Sequence, residues 1–136
     1  MLVSLQKIIG MAEEGNYCIP AFNVYNTETV MGIIDAAEQE KAPVIIQVYP
    51  RLLNQEVGFY LCPAVVAAAQ RASVPVCFHL DHGPSEWEVT RALRWGCTGI
   101  MPAGLSSLSS SPSLSPPSSL TPSTSTNTKS SPLSTL

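Results

Sequence analysis

The chain has 136 residues, a formal net charge of −3 and no basic cluster, a balance that argues against nucleic acid as a partner. No stretch approaches the roughly 20 apolar residues of a membrane span, and the N-terminus has no long apolar run of the signal-peptide kind. The four cysteines, Cys18, Cys62, Cys77 and Cys97, show no C-x-x-C spacing and read as reduced core residues of a cytoplasmic protein.

Composition divides the chain in two. Residues 1–101 look like an ordinary globular sequence. From Pro102 to Leu136 nearly every residue is Ser, Pro, Thr, Leu, Gly, Ala or Asn, and Lys129 is the sole charge. Such a stretch has too little periodic apolar content to offset chain entropy, so disorder is expected over 102–136.

In chain order, Leu5, Ile8, Ile9 and Ala12 recur with helical spacing, and Gly15 is placed to end that helix. A strand is predicted over Tyr17–Val24, with Pro20 tolerable only at an edge or a strand start. Asn26 is a good N-cap for a helix carrying Val30, Ile33, Ile34 and Ala37, which should stop before Pro43. The β-branched run Val44-Ile45-Ile46-Gln47-Val48-Tyr49 suits a strand buried on both faces of a parallel sheet. A helix follows over about Glu56–Ala72, where Pro63 predicts a kink or a late start. A strand is predicted over Val74–Asp81. Ser85-Glu86-Trp87-Glu88 fits the capping-box pattern for a helix ending near Gly96, and Cys97 opens a fourth strand.

The order is a leading helix and then β-α-β-α-β-α-β, which implies a parallel sheet with right-handed crossovers. No G-x-G-x-x-G follows a strand, which weighs against a dinucleotide fold. The most informative stretch is Val76-Cys77-Phe78-His79-Leu80-Asp81-His82-Gly83. Val76, Phe78 and Leu80 alternate with Cys77, His79 and Asp81, so an apolar face opposes one bearing an imidazole and a carboxylate. Both histidines of the chain lie in it. An unpaired buried carboxylate is costly, so Asp81 needs a partner, a metal neighbourhood or a solvent-filled cavity.

Ile19-Pro20-Ala21-Phe22-Asn23-Val24, Ala42-Pro43-Val44-Ile45-Ile46-Gln47 and His79-Leu80-Asp81-His82-Gly83 resemble, in order and spacing, the class II zinc-dependent aldolases that split fructose- or tagatose-1,6-bisphosphate. The resemblance covers residues 1–101 and implies an α/β fold, the N-terminal half of a (β/α)8 barrel of about four βα units. It implies a Zn2+ cofactor, a sugar-bisphosphate substrate and a place in carbohydrate metabolism. By position, His82 resembles the first zinc ligand and Asp81 the acid/base acting on the C4 hydroxyl. Asn23 falls near the substrate site. His79, on the same strand face as Asp81, reads either as a residue supporting the ligand from behind or as a polar core residue, and not as a direct metal ligand. After Met101 the family continues with an aspartate and a serine, where this chain has Pro102-Ala103-Gly104. The family's later zinc histidines, glycine-rich phosphate loops and strands five to eight have no counterpart. Two readings therefore stand side by side: an aldolase by descent, or a truncated, catalytically inactive half-barrel that acts, if at all, as an interaction module. Open strand edges also point to a homo-oligomer.

Overall fold

A computed structural model describes residues 1–103. The expected disorder over 102–136 therefore concerns residues that lie, after Ala103, outside the described ones. The elements are α1 (Leu5–Gly15), β1 (Ala21–Asn23), α2 (Thr27–Glu40), β2 (Val44–Val48), α3 (Pro50–Leu53), α4 (Glu56–Arg71), β3 (Val76–Gly83), α5 (Glu86–Arg94) and β4 (Gly99–Pro102). The four strands are parallel and lie in the order β1-β2-β3-β4, each beside the next one in sequence. This is the α/β half-barrel architecture that the alternation of elements implies: among the described residues, three βα units and a fourth strand form one open parallel sheet.

Two apolar clusters hold it. On the outer face of the sheet, Ile46, Val48, Val76, Phe78 and Leu80 pack against Val30, Leu61, Val65, Ala69 and Ala92 of α2, α4 and α5. On the inner face, α1 lays Ile8 over Ile45 and Cys77, with Val3 beside them. Helix α1 is fixed there by its leader. The Val3 amide donates to the Val76 carbonyl (2.9 Å) and the Leu5 amide to the Thr98 carbonyl (3.0 Å). The Thr98 hydroxyl donates to the Val3 carbonyl (2.6 Å). The lower half of the inner face is thus plugged, and the upper half, toward the C-terminal strand ends, is left to polar residues.

Local chemistry explains most boundaries. Asn26 caps α2 reciprocally: the Thr29 amide donates to Asn26 Oδ1 (2.9 Å) and the Asn26 amide donates to Thr29 Oγ1 (3.3 Å). Helix α1 runs through Gly15, and Asn16 takes the left-handed conformation (φ 51°) that closes it. Gly96 (φ 92°) makes the corresponding turn after α5.

Several expectations are corrected. Strand β1 is limited to Ala21–Asn23, because Pro20 has no amide to donate and contributes only its carbonyl, which accepts from the Ile45 amide (3.0 Å). Strand β3 lies two residues later than predicted at each end, and β4 starts at Gly99 instead of Cys97. A short helix, α3, was not expected; Pro50 sits at its first turn, where a missing amide costs nothing, and Leu53 is fully buried. Pro63 does not delay α4, which starts at Glu56. The acceptor that Pro63 leaves free is the carbonyl of Phe59, an exposed residue, where water can replace the lost bond. The Ser85 capping box does not form. The Ser85 hydroxyl instead donates to the Glu88 carboxylate, which also accepts from Asn54 Nδ2 (3.2 Å). The Ser85 bond, and then that from Asn54, hold the Glu88 carboxyl below its usual range.

Candidate functional site

The parallel register assembles a polar row across the upper inner face. Asn23 pairs with Gln47, Gln47 with His79, and His79 with Gly99. Side chains on neighbouring strands at one register level point to the same face, so three polar groups share a shelf. Asn23 is exposed, Gln47 half-buried, and His79 only 7% exposed. Gln47 Nε2 lies 3.3 Å from His79 Nδ1. With the amide donating, Nδ1 is an acceptor and the imidazole is the neutral Nε2–H form. Burial pushes the His79 pKa down, and the Asp81 carboxylate opposes that only in part.

Gly99 makes room for this imidazole. A Cβ at Gly99 would stand 2.8 Å from His79 Cδ2, 2.8 Å from Leu5 Cβ and 3.1 Å from Cys77 Sγ. Gly99→Ala is therefore expected to break the Gln47–His79 contact and cost about 1–3 kcal/mol. Chemical denaturation measures the loss, and the His79 imidazole resonances report the displacement; an unchanged midpoint with unshifted resonances would show that the space is not needed.

His79 also sets a pH dependence. A histidine held neutral in the fold has a folded pKa below its unfolded value of 6.5. Below pH 6.5 the unfolded chain takes up the proton first, so stability falls as pH drops from about 7.5 through 6.5 toward the lowered folded value. In metal-free buffer, His79→Gln should flatten the stability profile over that interval. Glu38 and Glu88, whose carboxyls are lowered by Ser73 and Ser85, act at lower pH, as it falls below about 4.5.

Above the shelf, β3 departs from regular alternation. Leu80 pairs with Ile100, but Gly83 pairs with Pro102, so β3 spends one more residue than β4 over the same rise. This is a β-bulge, and His82 takes a left-handed conformation (φ 52°) within it. Simple alternation would send Asp81 and His82 to opposite faces. The bulge instead brings His82 Nε2 to 3.6 Å from Asp81 Oδ1, an ion pair when the imidazole is protonated. The His82 side chain is 62% exposed and that of Asp81 17%, so both reach solvent at the strand end. The bulge closes tightly: the Ala103 amide donates to the Gly83 carbonyl (2.8 Å), and a Cβ at Gly83 would stand 2.8 Å from Leu80.

The structure thus brings Asp81, His82 and His79 to one end of one strand and aligns Asn23 with His79 through Gln47. Gln47 and Gly99 are the residues that sequence reasoning missed. Gln47 had a signal, as the lone polar residue among Val44–Val48. Gly99 had none, because its importance depends on what faces it. Catalytic zinc takes three protein ligands. Among the described residues no group of three or more His, Cys, Asp or Glu is placed to hold a metal ion, so His82 and its neighbours do not make a complete zinc site. Of the four cysteines expected in the core, Cys18 is instead exposed, ahead of the short strand β1; Cys62, Cys77 and Cys97 are buried, and burial pushes their thiols up, that of Cys62 to about 12, which leaves them without thiolate character at neutral pH.

A parallel βα half-barrel that carries Asp81 and His82 at the C-terminal end of β3 defines the class: the first half of a barrel of the type in which chemistry sits at that rim. Residues 3–110 match the profile of "Fructose-bisphosphate aldolase class-II", and the chain belongs to that family. It is 43% identical over 101 residues to the fructose-bisphosphate aldolase of Thermus caldophilus, covering 74% of this chain and 33% of that protein. It is 36% identical over 102 residues to a 6-phospho-5-dehydro-2-deoxy-D-gluconate aldolase of Bacillus licheniformis, covering 73% of this chain and 35% of that one. Among solved structures, the YdjI aldolase of Escherichia coli K12 superposes with a TM-score of 0.69 at 36% identity, over 74% of this chain and 39% of its own. The chain spans about a third of the length of the relatives it matches. The family match ends inside the stretch set apart on composition, nine residues past Met101.

Proposed function

We propose that this chain carries the proton-transfer and first metal-ligand portion of a ketose-bisphosphate aldolase site, acting in cytoplasmic carbohydrate metabolism. The observation that supports this best is the bulge that sets Asp81 and His82 side by side at the C-terminal end of β3. Asp81 is the group suited to exchange a proton with a substrate hydroxyl: a carboxylate at the rim, part-buried, within reach of solvent. His82 is the group suited to ligate zinc, which in this family supplies Lewis-acid polarisation of the ketone. His79, held neutral and bonded to Gln47, orients the floor of the site, and Asn23 stands beside it on the substrate side. The substrate class is a sugar bisphosphate or a related sugar phosphate, with relatives of similar identity named for two different substrates.

The second reading, an inactive half-barrel, is favoured by one specific observation: the described residues supply one matched ligand and no group of three. Metal binding separates the two. The purified chain is expected to retain less than one zinc ion per chain after dialysis, and His82→Ala to abolish the residual binding while His79→Ala spares it. Stoichiometric zinc at nanomolar affinity, or binding indifferent to His82, would overturn the ligand assignment.

A further inference from the structure

Among the described residues, Asp81 and His82 stand together without the further ligands that a zinc site needs. The topology shows where a second set would come from. The sheet holds four parallel strands in the order β1-β2-β3-β4. A two-fold axis along a barrel of eight puts β4 of each copy beside β1 of the other and closes the ring at two identical seams. The seam is matched in chemistry. Ile100 of β4 pairs with Leu80 and packs against the outer cluster. Phe22 of β1 pairs with Ile46 of that same cluster, is 47% exposed, and lines the apolar groove of about 310 Å³ with Ile33, Ala37 and Val44. Closure sets Ile100 of one copy against Phe22 and the groove of the other, so that each covers apolar surface the other leaves open.

The same axis turns the two β3 strands toward each other. In a ring of eight, each strand opposes the one four places on, so β3 faces the β3 of the second copy. The interior of such a barrel is just wide enough for side chains to fill it, and alternate strands contribute to one layer. Groups on the inner rim of β3 therefore converge on their own copies at the axis. Those groups are Asp81 and His82, because the bulge carries His82 to the side of Asp81. We propose that two copies of this chain share one zinc ion on that axis, held by His82 and Asp81 of both. One chain offers one imidazole and one carboxylate; two chains offer four donors, all of zinc-binding kinds, which is the number a tetrahedral site takes. A closed site of four protein donors keeps no position for substrate, so the ion clasps the two copies together. The inference rests on the reading of His82 as a metal ligand.

The test uses the full chain and zinc chloride. Titration calorimetry should give about one ion per two chains. Sedimentation velocity should show the dissociation constant of the dimer falling about ten-fold or more when zinc is added, because an ion held only by the dimer tightens it by the factor with which the dimer tightens the ion. His82→Ala should remove the zinc effect, with the far-UV circular dichroism unchanged. Phe22→Lys lies on the outer face, away from the donors, yet should weaken zinc binding about ten-fold by opposing the seam; dilution of the parent chain should do the same without any substitution. Weak zinc binding by the monomer, lost in His82→Ala but indifferent to Phe22→Lys and to dilution, would overturn the shared site and leave His82 a ligand. Binding indifferent to His82→Ala would overturn both readings. A dimer that zinc does not tighten would overturn the shared site.

Discussion

With zinc added, the purified chain is expected to show no detectable cleavage of fructose 1,6-bisphosphate in a coupled assay. Asp81 is in place for proton transfer, and such help is worth ~10²–10⁴-fold. Enzymatic acceleration is typically 10⁶-fold or more, and the balance must come from a held metal and bound phosphates. The described residues offer one matched ligand, His82, at a side chain 62% exposed to water, where a single imidazole competes poorly for zinc. Zinc-dependent turnover that disappears with Asp81→Ala and His82→Ala would show that the chain completes the site by means beyond these residues. It would favour the active reading over the inactive one.

Association with itself is the second large effect expected. The inner face above α1 carries Asn23, Gln47 and Asp81 with no opposing wall among the described residues, and β1 and β4 each offer one edge without a strand neighbour there. Beside β1 lies an apolar groove of about 310 Å³, lined by Pro20, Phe22, Ile33 and Val44. Phe22 is 47% exposed on that edge strand. Open parallel edges and uncovered apolar surface drive pairing with another chain. In a closed eight-stranded barrel, four strands make half the circuit, so two copies related by a two-fold axis can close one ring. Size-exclusion chromatography with light scattering should therefore give a dimer or larger species, and Phe22→Lys should shift it toward monomer. A monodisperse monomer at tens of micromolar would sink this expectation. The conclusion that the exposed half-barrel needs a second wall would fall with it.

Much of this molecule was legible one residue at a time. The helical spacing of Val30, Ile33, Ile34 and Ala37, the Asn26 cap and the β-branched run at Val44–Val48 each carry their structure in local chemistry, and each formed where expected. The alternation of Val76, Phe78 and Leu80 with Cys77 and His79 likewise separates the outer cluster from the inner one. Family membership and the identity of the strand-end residues follow from motifs of the same short range. What local patterns could not decide depends on partners distant in sequence. Ser85 found a carboxylate in place of a backbone amide, because Asn54 of a neighbouring loop helps to hold Glu88 there. His79 is neutral because Leu5, Gly99 and Gln47 close around it from three other segments, and burial penalises its charged form. Asp81 and His82 meet because β4 reaches Gly83 one residue short of regular register. The bulge is a property of two strands and cannot be read in either alone.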